Sequence, residues 1–171
     1  MYSPYVYSGA ANDTSGWTML VNGLTASYGQ VGYQKRDSGT MYNFTESSTS
    51  GGGFQQKLFT VSGVGTSPQY KITFSSNAFH YFVNGSNIWT DSNTNYGGCK
   101  AEQEGEIGNS ASQMLGGSQN NVVYSSAEVR RADTEAWYNA NGSFVNEESS
   151  WFDYSPISSS SFSIWDKACL S

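Results

Sequence analysis

Three glutamates, Glu102, Glu104 and Glu106, stand at every second position of KAEQEGEIGNSASQMLGG, in a chain where only 13% of residues are charged. In an extended strand alternate side chains share a face about 7 Å apart. The spacing therefore predicts a row of carboxylates, with Ala101, Gln103, Gly105 and Ile107 opposite. In a sheltered hollow such a row cannot all ionise cheaply, at least one proton affinity rises, and general acid–base chemistry can use the result. On a solvated face, or along an edge strand guarded by charge, the same row does no chemistry. Composition leaves both readings open. A second stretch, SYGQVGYQK, sets Tyr28, Gln30, Gly32 and Gln34 on one face and Val31 and Tyr33 on the other.

Other reaction types find little material. His80 is the only histidine and lies in the aromatic run AFHYFV, with no nucleophile-elbow sequence near it, so it is expected to be an ordinary strand residue. One histidine and two distant cysteines do not make a zinc site. DSNTNYGGCKAE places Asp91, Asn93, Asn95 and Glu102 at positions one, three, five and twelve of a calcium loop. Tyr96, however, stands where that loop needs glycine, so a polar turn is the plainer reading. No metal or other cofactor is expected.

The elements that must carry these residues follow from composition. Aromatics make up 15% of the chain, including 12 Tyr, alongside 19 Gly. Tyr, Thr, Val and Phe suit pleated half-buried surfaces, while Gly, Ser and Asn make turns. The chain is expected to be all-β, one antiparallel β-sandwich domain over residues 1–171, of jelly-roll or concanavalin-like type. Strands are predicted at Trp17–Val21, Ser27–Lys35, Thr40–Glu46, Phe54–Val61, Gln69–Phe74, Phe79–Val83, Asn87–Thr90, Lys100–Ile107, Val122–Arg131 and Phe162–Trp165. Asn84-Gly85 between two aromatic-rich runs is the strongest hairpin signal. Glu46 to Phe54 reads as a flexible connector, and NEESSWFDYSPISSSS as loop.

A net charge of −6 with no Lys/Arg stripe argues against nucleic acid as a partner, and no apolar run suits a membrane-crossing helix. The opening MYSPYVYSG lacks the basic start and apolar core of a signal peptide, yet low Lys and abundant Ser, Thr, Asn and Tyr suit a secreted protein. In that setting Cys99 and Cys169 are expected to form a disulfide; two unpaired thiols are the alternative. Sequons begin at Asn12, Asn43, Asn84 and Asn141.

YGQVGYQK followed by EGEIGNSASQMLGGS resembles the glutamic-peptidase group of β-sandwich proteins, and most closely the neprosin-like domain. GEI and SQMLGGS match the second signature of that domain and set Glu106 at its catalytic glutamate. QVGYQ matches the first, except that Gln30 stands where neprosin-like proteins carry Glu. The related eqolisin-type peptidases use a Gln and a Glu, so a Gln30–Glu106 pair is similar to theirs. The resemblance covers roughly Tyr28 to Arg131 and implies that the two residues meet on a concave sheet face.

It further implies a secreted endopeptidase acting on a protein or peptide substrate at acidic pH. Glu106 would activate water and Gln30 would steady the oxyanion. Glu102 and Glu104 would tune the pair, and Tyr28, Gln34 and Gln113 would contact substrate or support the site. Two alternatives stand beside this reading. One is a carbohydrate-binding sandwich that stacks sugars on Trp89, Tyr96 and Trp137. The other is a non-catalytic member of the peptidase family.

Overall fold

The computed structural model describes residues 13–22, 25, 27–36, 40–49, 53–60, 67–92, 96, 100–107, 122–125, 128–130, 137–139, 152–158 and 160–166. Every regular element among them is a strand. In chain order these are β1 (Asp13–Asn22), β2 (Ser27–Arg36), β3 (Met41–Thr49), β4 (Gly53–Thr60), β5 (Tyr70–Ser75), β6 (Ala78–Val83) and β7 (Ser86–Asp91). There follow β8 (Lys100–Ile107), β9 (Val122–Tyr124), β10 (Glu128–Arg130), β11 (Trp137–Asn139), β12 (Phe152–Ser158) and β13 (Ser161–Asp166). The strands form a five-stranded sheet in the order β4-β3-β2-β1-β8, a three-stranded sheet β5-β6-β7, a second three-stranded sheet β12-β13-β9 and the pair β10-β11. All pairings are antiparallel. Among the described residues no helix is long and apolar enough to cross a membrane.

The fold is an antiparallel β-sandwich built on period-two alternation. One face of β2, carrying Gly29, Val31 and Tyr33, lies against the β5-β6-β7 sheet. There Val31 joins Ile72, Phe79, Tyr81 and Val83 in the core, with Leu20, Phe74, Ile88 and Tyr96 packed around them. Gly29 is what lets the sheets close. A Cβ there would stand 2.9 Å from both Phe79 Cγ and Tyr81 Oη and 3.0 Å from Ile72 Cδ1. The aromatic rings meet edge-on, Phe74 with Phe79 at 5.2 Å and Phe74 with Tyr96 at 4.9 Å between centroids, the arrangement their quadrupoles favour.

The Asn84-Gly85 hairpin forms as expected. Both residues have positive φ, 50° and 80°, the signature of the type I′ turn that matches strand twist. Asn84 Oδ1 also accepts the Gln69 N–H at 2.8 Å, and the Asn84 N–H donates to Gln69 O. Ser76 and Asn77 turn β5 into β6 in the same left-handed conformation.

Three expectations are corrected. Glu46 to Phe54 is not a flexible connector throughout: β3 runs on through Glu46 to Thr49, and β4 already begins at Gly53. Its serines and threonines pair with β2 and β4, where ladder bonds outweigh weak local preference. Val122–Arg131 is not one strand but two, β9 and β10, which belong to different sheets. NEESSWFDYSPISSSS is not loop throughout: β12 occupies Phe152–Ser158. Proline is tolerated in β12, an edge strand among the described strands, with a register irregularity between Pro156 and Ser158.

Candidate active site

The opposite face of β2 carries Tyr28, Gln30 and Gln34, and cross-strand register decides what each of them meets. Gln30 is opposite Glu46 on β3, and Glu46 is opposite Gln56 on β4. On the other side Gln30 is opposite Met19, which is opposite Glu102. One row therefore crosses all five strands as Gln56, Glu46, Gln30, Met19 and Glu102. Two residues further along β2, Gly32 lies between Trp17 and Phe44, both buried. A Cβ on Gly32 would run into the Gly16 carbonyl and the Trp17 Cα, so close an approach that only glycine fits. The next row joins Gln34, Ser15 and Glu106.

Glu46 is the hub. Tyr28 Oη donates to its Oε1 at 2.6 Å and Gln30 Nε2 donates to the same oxygen at 3.0 Å. Gln56 Nε2 donates to Oε2 at 3.0 Å. Gln56 in turn accepts Arg36 Nη2 at 2.8 Å on its Oε1, and Arg36 Nε donates to Gln34 Oε1 at 3.3 Å. The guanidinium fixes which way the Gln56 amide points, since arginine only donates. Arg36 also sets a positive charge one residue away from the carboxylate. A carboxylate offers about four lone-pair sites. Among the described residues three are used, two on Oε1 and one on Oε2.

The back of Glu46 is tied to the second sheet. Tyr81 Oη donates to the Glu46 carbonyl at 3.3 Å. The neighbouring Ser47, 1% exposed, donates its hydroxyl to Asp91 Oδ2 at 2.5 Å. Residue 46 thus presents its carboxylate on one face while residues 46 and 47 are anchored on the other. Among the described residues Trp17 Nε1 is a buried donor without a hydrogen-bond acceptor.

The sequence-derived residues sort as follows. Tyr28 and Gln30 meet one carboxylate, and Gln34 joins the same network through Arg36. Glu106 is not beside Gln30. The register offsets them by four residues and two strands, about 13 Å along and about 10 Å across, or roughly 16 Å between Cα atoms; the nearer row partner of Glu106 is Gln34. Glu102 shares the row of Gln30 but is ion-paired with Lys100. Glu104 and Glu106 lie on β8, which is an edge strand among the described strands. Gln113, Cys99 and Cys169 lie outside the described residues, as do Asn93 and Asn95 of the calcium-loop spacing.

Asp91 is engaged by Ser47, and no group of three or more His, Cys, Asp or Glu that could hold a metal ion occurs among the described residues. His80 Nε2 donates to the Ser75 carbonyl at 3.3 Å, and Nδ1 faces Thr90 Oγ1 at 3.2 Å. Trp89 stacks on Tyr81 at 5.2 Å and carries Lys57 Nζ 4.6 Å from its ring centroid. Tyr96 packs against Phe74 and Phe79. Of the three rings considered for sugar stacking, only Trp137 is well exposed, at 45%.

Sequence reading missed Glu46, Gln56 and Arg36. Their signal was alternation: Arg36 has the parity of Gln30 and Gln34, and Glu46 that of Tyr42 and Phe44. Nothing in the sequence says that these faces are the same. Comparison with protein-family models, with curated proteins and with solved structures gives no match.

Proposed function

We propose that this chain is a hydrolase of the glutamic type that cleaves peptide bonds in protein or peptide substrates, with Glu46 as the general base beside Gln30. The reading is supported above all by one contact, Gln30 Nε2 to Glu46 Oε1 at 3.0 Å. It is the Gln–Glu juxtaposition that the peptidase resemblance calls for, supplied by a different glutamate.

The chemistry follows from this pairing. Water bound at Oε2 gives a proton to Glu46 as its oxygen attacks the substrate carbonyl carbon. The same proton then passes to the amide nitrogen, the C–N bond breaks, and Glu46 returns to carboxylate. The second N–H of Gln30, not used by Glu46, is the donor we assign to the developing oxyanion. One such preorganised donor is worth about 3 kcal/mol of transition-state stabilisation. Tyr28 and Gln56 hold the carboxylate still. The peptidase resemblance implies activity on the acidic side. An extracellular setting suits both that pH and the Ser/Thr/Asn-rich, Lys-poor composition.

The test is cleavage of a denatured protein at about pH 3–5 by the unaltered chain and by Glu46→Gln, Gln30→Ala and Glu106→Gln. Glu46→Gln is expected to lower kcat/KM by about 10³-fold and Gln30→Ala by about 10²-fold, from the usual size of base and oxyanion contributions. Glu106→Gln is expected to stay within about twofold. Cleavage unchanged by Glu46→Gln removes the base from the mechanism, and a folded unaltered chain that cleaves nothing removes the hydrolase.

A further inference from the structure

The outer edge of a sheet leaves a row of backbone N–H and C=O groups without partners, and proteins guard such edges with charge, proline, bulges or brevity. Among the described strands, the edges other than β4 carry such guards. β8 bears Glu102, Glu104 and Glu106 beside Lys100. β7 breaks register against β6 between Tyr81 and Phe82. β5 is six residues long and carries Lys71. β12 contains Pro156, and β9, β10 and β11 have three residues each.

β4 differs. Its eight residues pair with β3 without a break, from Tyr42 opposite Thr60 to Thr49 opposite Gly53. It has no proline, and its single charge, Lys57, lies over the Trp89 ring. Gly53, Phe54, Gln55 and Lys57 are exposed, and Phe54 shows 59% of its surface.

We propose that β4 pairs antiparallel with β4 of a second copy of this chain, about a twofold axis through Gln56, joining two five-stranded sheets into one of ten strands. A twofold perpendicular to the sheet preserves faces, so paired positions must share odd or even numbering. With the axis at Gln56, Phe54 of each copy covers Leu58 of the other, and Gln55 meets Lys57. With the axis at Lys57 two ammonium groups face each other, a destabilising pair. With the axis at Gln55, Phe54 is left against Gln56 and the overlap shortens. Self-complementarity in one register is why a second copy, rather than an unrelated extended segment, is the occupant. One strand edge buries less than the roughly 1,200 Å² of a standard interface, so the dimer is expected to depend on concentration. The pairing is independent of the hydrolase reading.

Sedimentation and light scattering from about 10 μM to about 1 mM test it, a range that brackets weak association. Dimer is expected to grow with concentration, and Phe54→Lys to weaken it more than 10-fold. Combining Phe54→Lys with Leu58→Glu should restore it, because the introduced ammonium of one copy then faces the introduced carboxylate of the other. Hydrogen exchange of the unaltered protein supplies a readout free of folding effects: β4 amides should gain protection as concentration rises. A monomer at about 1 mM, a dimer indifferent to Phe54→Lys, or β4 exchange independent of concentration each overturns the proposal. Failure of a folded double variant to re-form the dimer overturns the Gln56 register.

Discussion

Replacing Gly29 by alanine tests both how the sheets close and how the site is held. The added methyl would sit 2.9 Å from Phe79 Cγ, 2.9 Å from Tyr81 Oη and 3.0 Å from Ile72 Cδ1. Carbon atoms rest comfortably at about 3.5–4.0 Å, so the methyl is too close on three sides by about 0.5 Å or more. Phe79 and Tyr81 are fully buried and have no room to withdraw. Overpacking of this kind costs about 1–3 kcal/mol, and three-sided crowding belongs near the top of that range. Restricting the unfolded chain returns about 0.4–1 kcal/mol. The net loss is about 2 kcal/mol, which for a chain of this length lowers Tm by about 4–8 °C.

Urea unfolding followed by circular dichroism reads this as a midpoint lower by roughly 1 M at a typical m-value. The sign is decisive. On an uncovered strand face alanine would stabilise by about 0.5–1 kcal/mol relative to glycine. An unchanged or raised midpoint would therefore refute the packing of β2 on the second sheet. Ile72→Val removes Cδ1, one of the three crowding atoms, so the double variant should lose less than the two single losses combined. Tyr28 and Gln30 flank residue 29 and both bind Glu46. Pushing β2 outward should therefore draw those donors off the carboxylate and lower any cleavage along with stability.

Two further outcomes follow from buried polar groups. Ser47→Ala removes the 2.5 Å bond to Asp91; because Asp91 keeps another interaction, a loss of about 2 kcal/mol is expected from urea unfolding, and a change under about 0.5 kcal/mol would show the link to be idle. Burial raises the Tyr33, Tyr70 and Tyr81 hydroxyls above their usual value of 10.0, so the unfolded chain gives up these protons at lower pH than the folded one. The stability they support is then full below about pH 10 and is lost as pH rises beyond it. Tyrosinate absorbance from these three should appear together with loss of circular dichroism; their ionisation in a still-folded chain would contradict the burial.

How far the site was legible can be judged residue by residue. Alternation alone put Tyr28, Gln30 and Gln34 on one face of β2, and the structure keeps all three in one network. The Asn84-Gly85 turn was legible because few other residue pairs accept two positive φ angles. β12 was hidden by its serines and Pro156, which suit a strand only at the edge of a sheet. Glu46 was hidden because TESSTS reads as a connector until β2 and β4 flank it on both sides.

By itself the sequence determined that the chain is built of strands, where most of them run, and which side chains share a face, because the two-residue period of a strand is written in the order of its residues. Only the tertiary structure decided which carboxylate Gln30 meets. Sliding one strand past another by two residues leaves every side chain on its own face and the hydrophobic pattern intact, while exchanging every cross-strand neighbour. Parity is a local property of one segment; register is settled by the turns, the glycines at the sheet contacts and the packing of the second sheet.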